Sequence, residues 1–187
     1  MANIDDRKKE IVNACLDKLV NNGLYETSSR DLSSAIKLQS GGLYYYFKTK
    51  SNVIIACAEE AASRLELNLI IPALADADNP ERLLAGLVKR AKDMSSTMRF
   101  FVSVCIAKQY SEDIKPVINR ISKRFDMYVN TFADKMGCSS DELKPYFYIC
   151  LNAIVNYMIF EDQSQLQFQT RVISAKITEW SKNKHYF

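Results

Sequence analysis

Hydrophobic residues recur three or four positions apart along most of the chain, which is the spacing of one face of an α-helix. The first such stripe predicts a helix over residues 4 to 22, ended by Gly23 because glycine tolerates positive φ. A second long stripe predicts a helix over residues 51 to 70. Only five glycines and four prolines occur in the 187 residues. The pattern therefore favours an all-α fold of about nine helices.

The middle of the chain contains a clear break followed by a strongly apolar segment. The sequence D-A-D-N-P at residues 76 to 80 predicts a new helix, capped by Asn79 and with Pro80 in its first position. Residues 98 to 107 are apolar nearly all round, so we expect them to be buried on most sides. A further helix is predicted from Ser111 to Met136.

The last two predicted helices differ in polarity. Ser139 and Glu142 form an S-x-x-E capping box, although we expect Pro145 to delay the regular helix until that residue. Residues 146 to 160 carry no charge, and an amphipathic stripe follows over residues 166 to 180. A helix too apolar to face water, next to an amphipathic one, predicts a subunit interface. The residues assigned to this interface are Leu151, Ile154, Val155, Met158, Val172, Ile173, Ile177 and Trp180.

Charge alone does not identify a partner. The net charge is +3, so any DNA affinity must come from the placement of basic residues. The five cysteines have no C-x-x-C spacing, and no segment has the pattern of a signal peptide or a membrane span. These features favour a reduced, cytoplasmic protein.

The stretch from Thr27 to Lys50, T-S-S-R-D-L-S-S-A-I-K-L-Q-S-G-G-L-Y-Y-Y-F-K-T-K, predicts two short helices joined by a tight turn. Thr27 is the expected N-cap of the first helix. The second helix is expected over residues 39 to 45. Gly41 and Gly42 cost about 1 kcal/mol each relative to alanine, so they predict close contact with a large partner such as a phosphate backbone.

The same short helix is expected to divide its side chains between two faces. Leu43 faces inward and is followed four residues later by Phe47 on the same face. The outward positions carry phenol hydroxyls and ammonium groups, which are suited to phosphate contacts. These outward residues are Tyr44, Tyr45, Lys48 and Lys50.

Residues 11 to 54 resemble the N-terminal helix-turn-helix domain of TetR-family (tetracycline-repressor-like) transcriptional regulators. The matching features occur in order: an amphipathic first helix, Gly23 with an aromatic at Tyr25, T-S-x-R-D-L, and G-x-L-Y-Y-Y-F-K-x-K. Lys37 stands where that family usually has the turn glycine, Gln39 where it usually has serine, and Gly42 where it usually has threonine, serine or alanine. The substitution at Lys37 predicts a slightly different turn geometry.

The resemblance implies a bacterial homodimeric repressor that an effector releases from its DNA operator. Residues 1–50 would form the DNA-binding domain and residues 51–187 the effector-binding and dimerisation domain, with 51–70 as a linking helix. The last two helices would pair with their copies as a four-helix bundle. Residues 39–45 would enter the major groove, where a few side chains reach base edges. The implied DNA-binding residues are Thr27, Arg30, Gln39, Ser40, Gly41, Gly42, Tyr44, Tyr45, Lys48 and Lys50.

Aromatic, methionine and polar residues in the C-terminal helices suggest a pocket for a small, largely apolar effector, although the same residues could form ordinary core. Asn152 and Asn156 are notable because buried amides need hydrogen-bond partners. The candidate effector-binding residues are Phe101, Cys105, Tyr110, Phe125, Tyr128, Phe147, Cys150, Asn152, Asn156 and Tyr157.

Enzymatic function has little support in the sequence. The single histidine, His185, has no cysteine or carboxylate cluster near it, and no glycine-rich phosphate loop occurs, so we expect no cofactor and no metal. A thiol switch at Cys105 or Cys150 is a minor possibility, since buried thiols are generally inert. The main alternative is a protein of the same fold that acts through a protein partner rather than as an effector-controlled repressor.

Overall fold

The computed structural model describes residues 4–37, 40–77 and 79–183, without the side chains of Ser40, Pro80, Ile177 and residues 181–183. Within these ranges the chain is all-helical and contains no strand, which confirms the predicted fold class. The helices are α1 (Ile4–Asn22), α2 (Ser29–Ala35), α3 (Ser40–Phe47), α4 (Lys50–Leu65), α5 (Ile71–Ala75), α6 (Pro80–Ile106), α7 (Ser111–Met136), α8 (Ser140–Phe160) and α9 (Gln163–Asn183).

The chain divides into two compact units. The first comprises residues 1–64 and 96–118, and the second comprises residues 65–95 and 119–187. α4 packs Val53, Ile54 and Ala58 into the core of the first unit. The boundary expected at residue 50 between a DNA-binding and an effector-binding domain stays a prediction.

The first unit is held together by one hydrophobic core. α1 contributes Ile11, Leu16 and Leu19, α2 contributes Leu32 and α3 contributes Leu43, and each of these side chains is at most 1% exposed. Burying each of them stabilises the fold by about 1.5–3 kcal/mol. The side of α3 that carries Leu43 is therefore anchored in the unit, and the opposite side is left to face solvent.

α2 begins with a capping box at Ser28, so the prediction that Thr27 caps this helix is wrong. The Ser28 N–H donates to Asp31 Oδ2 at 2.8 Å, and the Asp31 N–H donates to Ser28 Oγ at 3.2 Å. Thr27 is fully buried, and its hydroxyl donates to the carbonyl of Gly23 at 2.6 Å. The S-x-x-D spacing of Ser28 and Asp31 was the signal in the sequence that identifies the true cap.

A proline changes the winding of the chain after α4. Pro72 has no N–H to donate to the carbonyl four residues before it. The preceding turn, Glu66–Ile70, is wound as a π-helix, and the N–H of Ile71 donates to the Glu66 carbonyl five residues back. The helical path thus continues past Pro72 to the end of α5.

α6 is one unbroken helix, and the N–H of Arg82 donates to Asn79 Oδ1 at 3.0 Å, as expected for a cap at Asn79. Phe100 and Val104 near its C-terminal end are buried, but Ile106 is 76% exposed. Every other residue from 98 to 107 is buried or half-buried, which agrees with the expectation that this segment is buried on most sides.

α8 begins earlier than the sequence predicted. The expectation that Pro145 delays the helix is wrong, because Ser139 and Glu142 form the capping box and the helix starts at Ser140. Glu142 Oε2 accepts from the Ser139 N–H at 3.0 Å. Within the second unit α8 then packs against α9.

Candidate nucleic-acid interface and ligand cavity

The outer surface of α3 is the candidate nucleic-acid interface. Tyr45 is 77% exposed, and its ring packs edge-on against Tyr46 with the centroids 5.0 Å apart. Gly41 is also exposed, and a Cβ atom added there would meet nothing within 4 Å. An exposed phenol beside an unobstructed stretch of backbone is suited to close approach by a sugar-phosphate chain.

Tyr44 and Lys50, which were predicted to face outward, are half-buried and hydrogen-bonded within the protein. The Tyr44 hydroxyl donates to Ser29 Oγ at 2.9 Å, and Lys50 Nζ donates to the carbonyl of Thr27 at 2.8 Å. Both bonds tie α3 and the start of α4 to the segment at the start of α2. The fully outward orientation predicted for them is wrong, and their first role is to position α3.

The other predicted DNA-binding residues have different environments. Arg30 and Lys48 are exposed, and Gly42 is half-buried. Thr27 is buried with its hydroxyl already donating to Gly23, so it is not available to a phosphate in this structure. Gln39 and the side chain of Ser40 lie outside the described residues.

Exposed positive charges accompany α2 and α3. Arg30, Lys37 and Lys48 are all solvent-exposed. The neighbouring acidic group, Asp31, is engaged in the capping box, and the hydrogen bonds from Ser28 lower the pKa of its carboxyl. Lys37 was not predicted as a site residue, although its position beside the turn was visible in the sequence.

The second unit contains an apolar cavity that is partly open to solvent, with a volume of about 50 Å³, measured as space open to the centre of a water molecule. Its lining comes from the segment around the π-helical turn and from α6, α7, α8 and α9. Apart from one tyrosine, one methionine and one cysteine, the side chains are hydrocarbon. They include Ile70, Ala73, Leu83, Leu84, Leu87, Phe132, Met136, Leu143, Tyr146, Phe147, Cys150, Leu151, Ile154 and Ile173.

Only Phe147 and Cys150 among the predicted effector-binding residues line this cavity. Phe125 is next to it, with its ring 4.9 Å from that of Phe147. Asn152 and Asn156 are exposed on α8 and neither lines the cavity, so the expectation that their amides are buried is wrong. Their role in effector binding stays a prediction.

Three other candidates, Phe101, Cys105 and Tyr110, belong to the first unit rather than to the cavity. Tyr110 is part of the buried core of that unit, and Phe101 and Cys105 pack against the same core. None of the three lines the cavity beside Phe147, and their role in effector binding stays a prediction. An apolar stripe cannot by itself distinguish core from pocket lining.

Tyr128 takes part in a polar cluster at the π-helical turn. Its hydroxyl donates to Glu66, whose carboxylate also accepts from the guanidinium of Arg124. Burial, and then the carboxylate of Glu66, raise the pKa of Tyr128 to about 12. This cluster connects α7 to the turn, so Tyr128 is a positioning residue and does not line the cavity.

Four residues assigned to the subunit interface are instead buried within the second unit: Ile154, Met158, Ile173 and Trp180. Ile154 and Ile173 line the cavity, and the Trp180 ring packs edge-on against Tyr146 at 5.3 Å. These positions fill the interior of the single chain because α8 and α9 pack against each other. Their place in a subunit interface stays a prediction.

The remaining interface candidates are more accessible. Leu151 and Val155 are half-buried, Val172 is exposed, and the side chain of Ile177 lies outside the described residues. Exposed residues recur at helical spacing along both helices and form what we call the α8–α9 stripe. Its members are Ile149, Asn152, Asn156, Phe160, Phe168 and Val172.

The thiols are not poised for reaction. Burial raises the pKa of Cys15 and Cys105 to about 11 and that of Cys150 to about 12. The thiolate is the reactive form, so these shifts oppose oxidation or alkylation near neutral pH.

The described residues contain no group of three or more His, Cys, Asp or Glu side chains placed to hold a metal ion. None of the helices in the described ranges combines the length and hydropathy of a bilayer span.

The arrangement is that of an all-helical protein with a helix-turn-helix in its first unit. No family model matches the sequence, and no curated protein matches it either. Solved structures do match. A TetR transcription regulator from Haloarcula marismortui ATCC 43049 superposes with a TM-score of 0.65 at 14% identity, covering 96% of this chain and 98% of that one.

Two further matches contain bound molecules. The multidrug binding protein EbrR complexed with imidazole superposes with a TM-score of 0.58 at 13% identity, covering 90% of this chain and 93% of that one. BioQ with its natural double-stranded DNA operator superposes with a TM-score of 0.55 at 15% identity, covering 91% and 96%. The chain therefore has the TetR-family fold, as the resemblance of residues 11–54 predicted.

Proposed function

We propose that the chain is a homodimeric transcriptional repressor that binds a pseudo-palindromic DNA operator through α3. The observation that carries this proposal is the two-sidedness of α3: Leu43 is anchored in the core, while Gly41 and Tyr45 are open to solvent. Arg30 and Lys48 add exposed positive charge nearby in the sequence. The bound operator of BioQ, which has the same fold, supports a DNA partner.

The α8–α9 stripe supports the dimer. Phe160 and Phe168 are each 72% exposed in the single chain. Large apolar side chains that recur along neighbouring helices mark an interaction surface. A second copy would cover them, and pairing would set two α3 helices against successive major grooves about 34–36 Å apart.

The cavity of the second unit supports control by an effector. Its volume of about 50 Å³ is well below the roughly 300–1,000 Å³ of typical ligand sites. An apolar effector must therefore widen it, and it would bind the widened state better than the closed one. Release from DNA follows if the operator prefers the closed state. The imidazole bound to EbrR supports a ligand-responsive member of this fold.

The test is sequence selection by the full chain from random duplexes, followed by fluorescence polarisation on the selected duplex. We expect sequence-preferring binding that weakens with salt, because phosphate contacts release counterions. Tyr45→Ala and Lys48→Ala should each weaken binding about tenfold or more, as expected for lost groove or phosphate contacts. Lys48→Ala should also reduce the salt slope by about 0.9.

Matched controls come from equally exposed residues elsewhere. Tyr25 is 70% exposed but lies outside α2 and α3, and Lys123 is exposed on α7. Alanine at either position should leave DNA binding unchanged. Absence of any preferred duplex, or equal loss in the controls, would contradict the proposal.

The alternative is a regulator that acts through a protein partner. The internal hydrogen bonds of Tyr44 and Lys50 favour it to some extent, since they leave fewer groups free for DNA. A chain that selects no duplex and is monomeric in solution would support this alternative.

A further inference from the structure

An open groove lies on the second unit between α6 and α9. Its volume is about 520 Å³, measured in the same way as that of the cavity. The groove is wide open to solvent, so it can contact a bound group on one side only. Its floor is apolar, from Leu84, Ala85 and Val88, and its α9 side carries Thr170, Arg171 and Ser174.

Three polar side chains of the groove, Lys89, Arg171 and Ser174, are suited to an anion, whereas the hydroxyl of Thr170 already donates to the carbonyls of Leu166 and Gln167. Lys89 and Arg171 are exposed, and neither makes an ion pair or hydrogen bond with any residue that the structure describes. No carboxylate belongs to the described lining. Ser174 adds a hydroxyl that donates to none of the described residues. Arginine can bind a carboxylate or phosphate with two parallel hydrogen bonds, and lysine adds a point charge.

One side chain is shared by the groove and the cavity. Leu84 belongs to the lining of both spaces. The remaining lining of the cavity is nearly all hydrocarbon. Rotation of Leu84 would join a basic entrance to an apolar interior.

We propose that the effector is an amphipathic anion, with an oxyanion head held by Lys89 and Arg171 in the groove and an aliphatic tail that displaces Leu84 and enters the cavity. This inference rests on the proposed function, because it names the ligand class of that effector. A charged head is excluded from the cavity, where a carboxylate would lose its hydration with no compensating partner. The desolvation that raises the pKa of Cys150 to about 12 reflects the same environment.

The first test compares heads on one tail. Dodecanoate, dodecyl phosphate and dodecanol are titrated into the full chain below their aggregation concentrations, and Kd is measured by calorimetry. We expect at least one of the two anions to bind about tenfold or more tightly than dodecanol, since charge-assisted hydrogen bonds are the strong ones. The tighter anion identifies the head group. Equal binding of dodecanol and both anions would overturn the proposal.

Substitutions locate the head. The double variant Lys89→Ala/Arg171→Ala should weaken binding of the tighter-binding anion about tenfold or more and leave the affinity for dodecanol unchanged. Lys123→Ala removes an exposed lysine from α7 and should change neither affinity. An anion that binds the double variant and the native chain equally would place the site elsewhere and overturn the proposal.

A chain-length series locates the tail. From octanoate to dodecanoate, each methylene that becomes buried should tighten Kd about fourfold. Leu84→Ala removes the barrier to the cavity and should tighten dodecanoate, whereas Val88→Ala removes apolar surface from the groove alone and should weaken it. Identical behaviour of the two variants would show that the tail does not pass residue 84.

DNA binding is measured in parallel to separate the two proposals. If the selected duplex binds but no amphipathic anion does, the ligand assignment fails and the repressor function stands. If the anion binds as described but no duplex is selected, the groove site stands and the repressor function fails.

Discussion

The hydroxyl of Tyr44 on α3 donates to the hydroxyl of Ser29 on α2 at 2.9 Å. This bond joins the two short helices of the helix-turn-helix through side chains that are fifteen residues apart in the sequence. Lys50 Nζ adds a second tie, to the carbonyl of Thr27. The orientation of α3 therefore depends on polar contacts as well as on burial of Leu43.

Tyr44→Phe should lower the free energy of unfolding by about 0.5–1.5 kcal/mol, because it removes one hydrogen bond and keeps the ring. Ser29→Ala should have a similar effect. The double variant should lose less free energy of unfolding than the two single variants lose together, since both substitutions remove the same hydrogen bond. Urea denaturation of the four proteins measures this coupling. Strict additivity would contradict a direct interaction between the two hydroxyls.

Gly41→Ala should raise stability and weaken DNA binding at the same time. Alanine is favoured over glycine by about 0.8–1.0 kcal/mol within a helix, and a Cβ at Gly41 would meet no atom within 4 Å. On DNA the same methyl would occupy the space that α3 offers to the duplex. Urea denaturation measures the gain in stability, and fluorescence polarisation measures the loss of DNA affinity.

Gly86→Ala is the matched control for that pair of effects. Gly86 lies in α6, where an added Cβ would meet only the flexible guanidinium end of Arg90. This substitution can change stability, but DNA affinity should remain that of the native protein. If Gly41→Ala binds DNA as well as Gly86→Ala does, α3 does not approach DNA by its glycine side.

Lys37→Gly should stabilise the protein by up to about 1 kcal/mol. Lys37 has φ of 53°, and left-handed backbone costs an ordinary residue roughly 1–2 kcal/mol, part of which the greater flexibility of unfolded glycine cancels. Lys37→Ala removes the same charge but keeps the Cβ, so it should give no gain in stability. Thermal unfolding of both variants measures the difference in their stability. Equal stability of the two would show that the backbone at this turn is not strained.

The fold was predictable because the residues that define it act locally. The stripes of α1 and α4, the cap at Asn79 and the capping box at Ser139 each follow from neighbours within four positions. The sequence also identified α3 as a helix with an anchored face and an open face.

The predictions from the sequence that were wrong concern contacts between segments that are distant in the chain. Tyr44 finds Ser29 and Lys50 finds Thr27 only after the helices pack, and no spacing rule reveals such partners. Likewise Phe101 and Phe147 look alike as apolar positions, yet they belong to different units. Helical periodicity reports that a residue faces inward, but it does not report which core that residue enters.

Cys15 should make the protein less stable in alkaline solution. Burial raises the pKa of its thiol from an ordinary value of 9.0 to about 11, so above pH 9 the unfolded chain loses this proton while the folded chain keeps it. Stability from this thiol is therefore present below about pH 9 and is lost as pH rises toward 11. The loss is on the order of 1 kcal/mol per pH unit over that window.

Cys15→Ala isolates this effect from the tyrosines and lysines that titrate in the same range. Its free energy of unfolding, measured by urea denaturation at pH 8 and pH 10, should fall less over that interval than that of the native protein. A difference between the two proteins that is the same at both pH values would contradict the assigned shift.

Phe168→Asp should convert the dimer into monomers. Phe168 is 72% exposed in the single chain, and an aspartate there would place an unpaired charge inside the proposed interface, which costs several kcal/mol. Leu67→Asp is the matched control, because Leu67 is 61% exposed on the π-helical turn and outside the α8–α9 stripe. Sedimentation velocity should show a dimer for the native chain and for Leu67→Asp, and a monomer for Phe168→Asp. A Phe168→Asp variant that stays dimeric, or a native chain that is monomeric at micromolar concentration, would remove the stripe as the subunit interface.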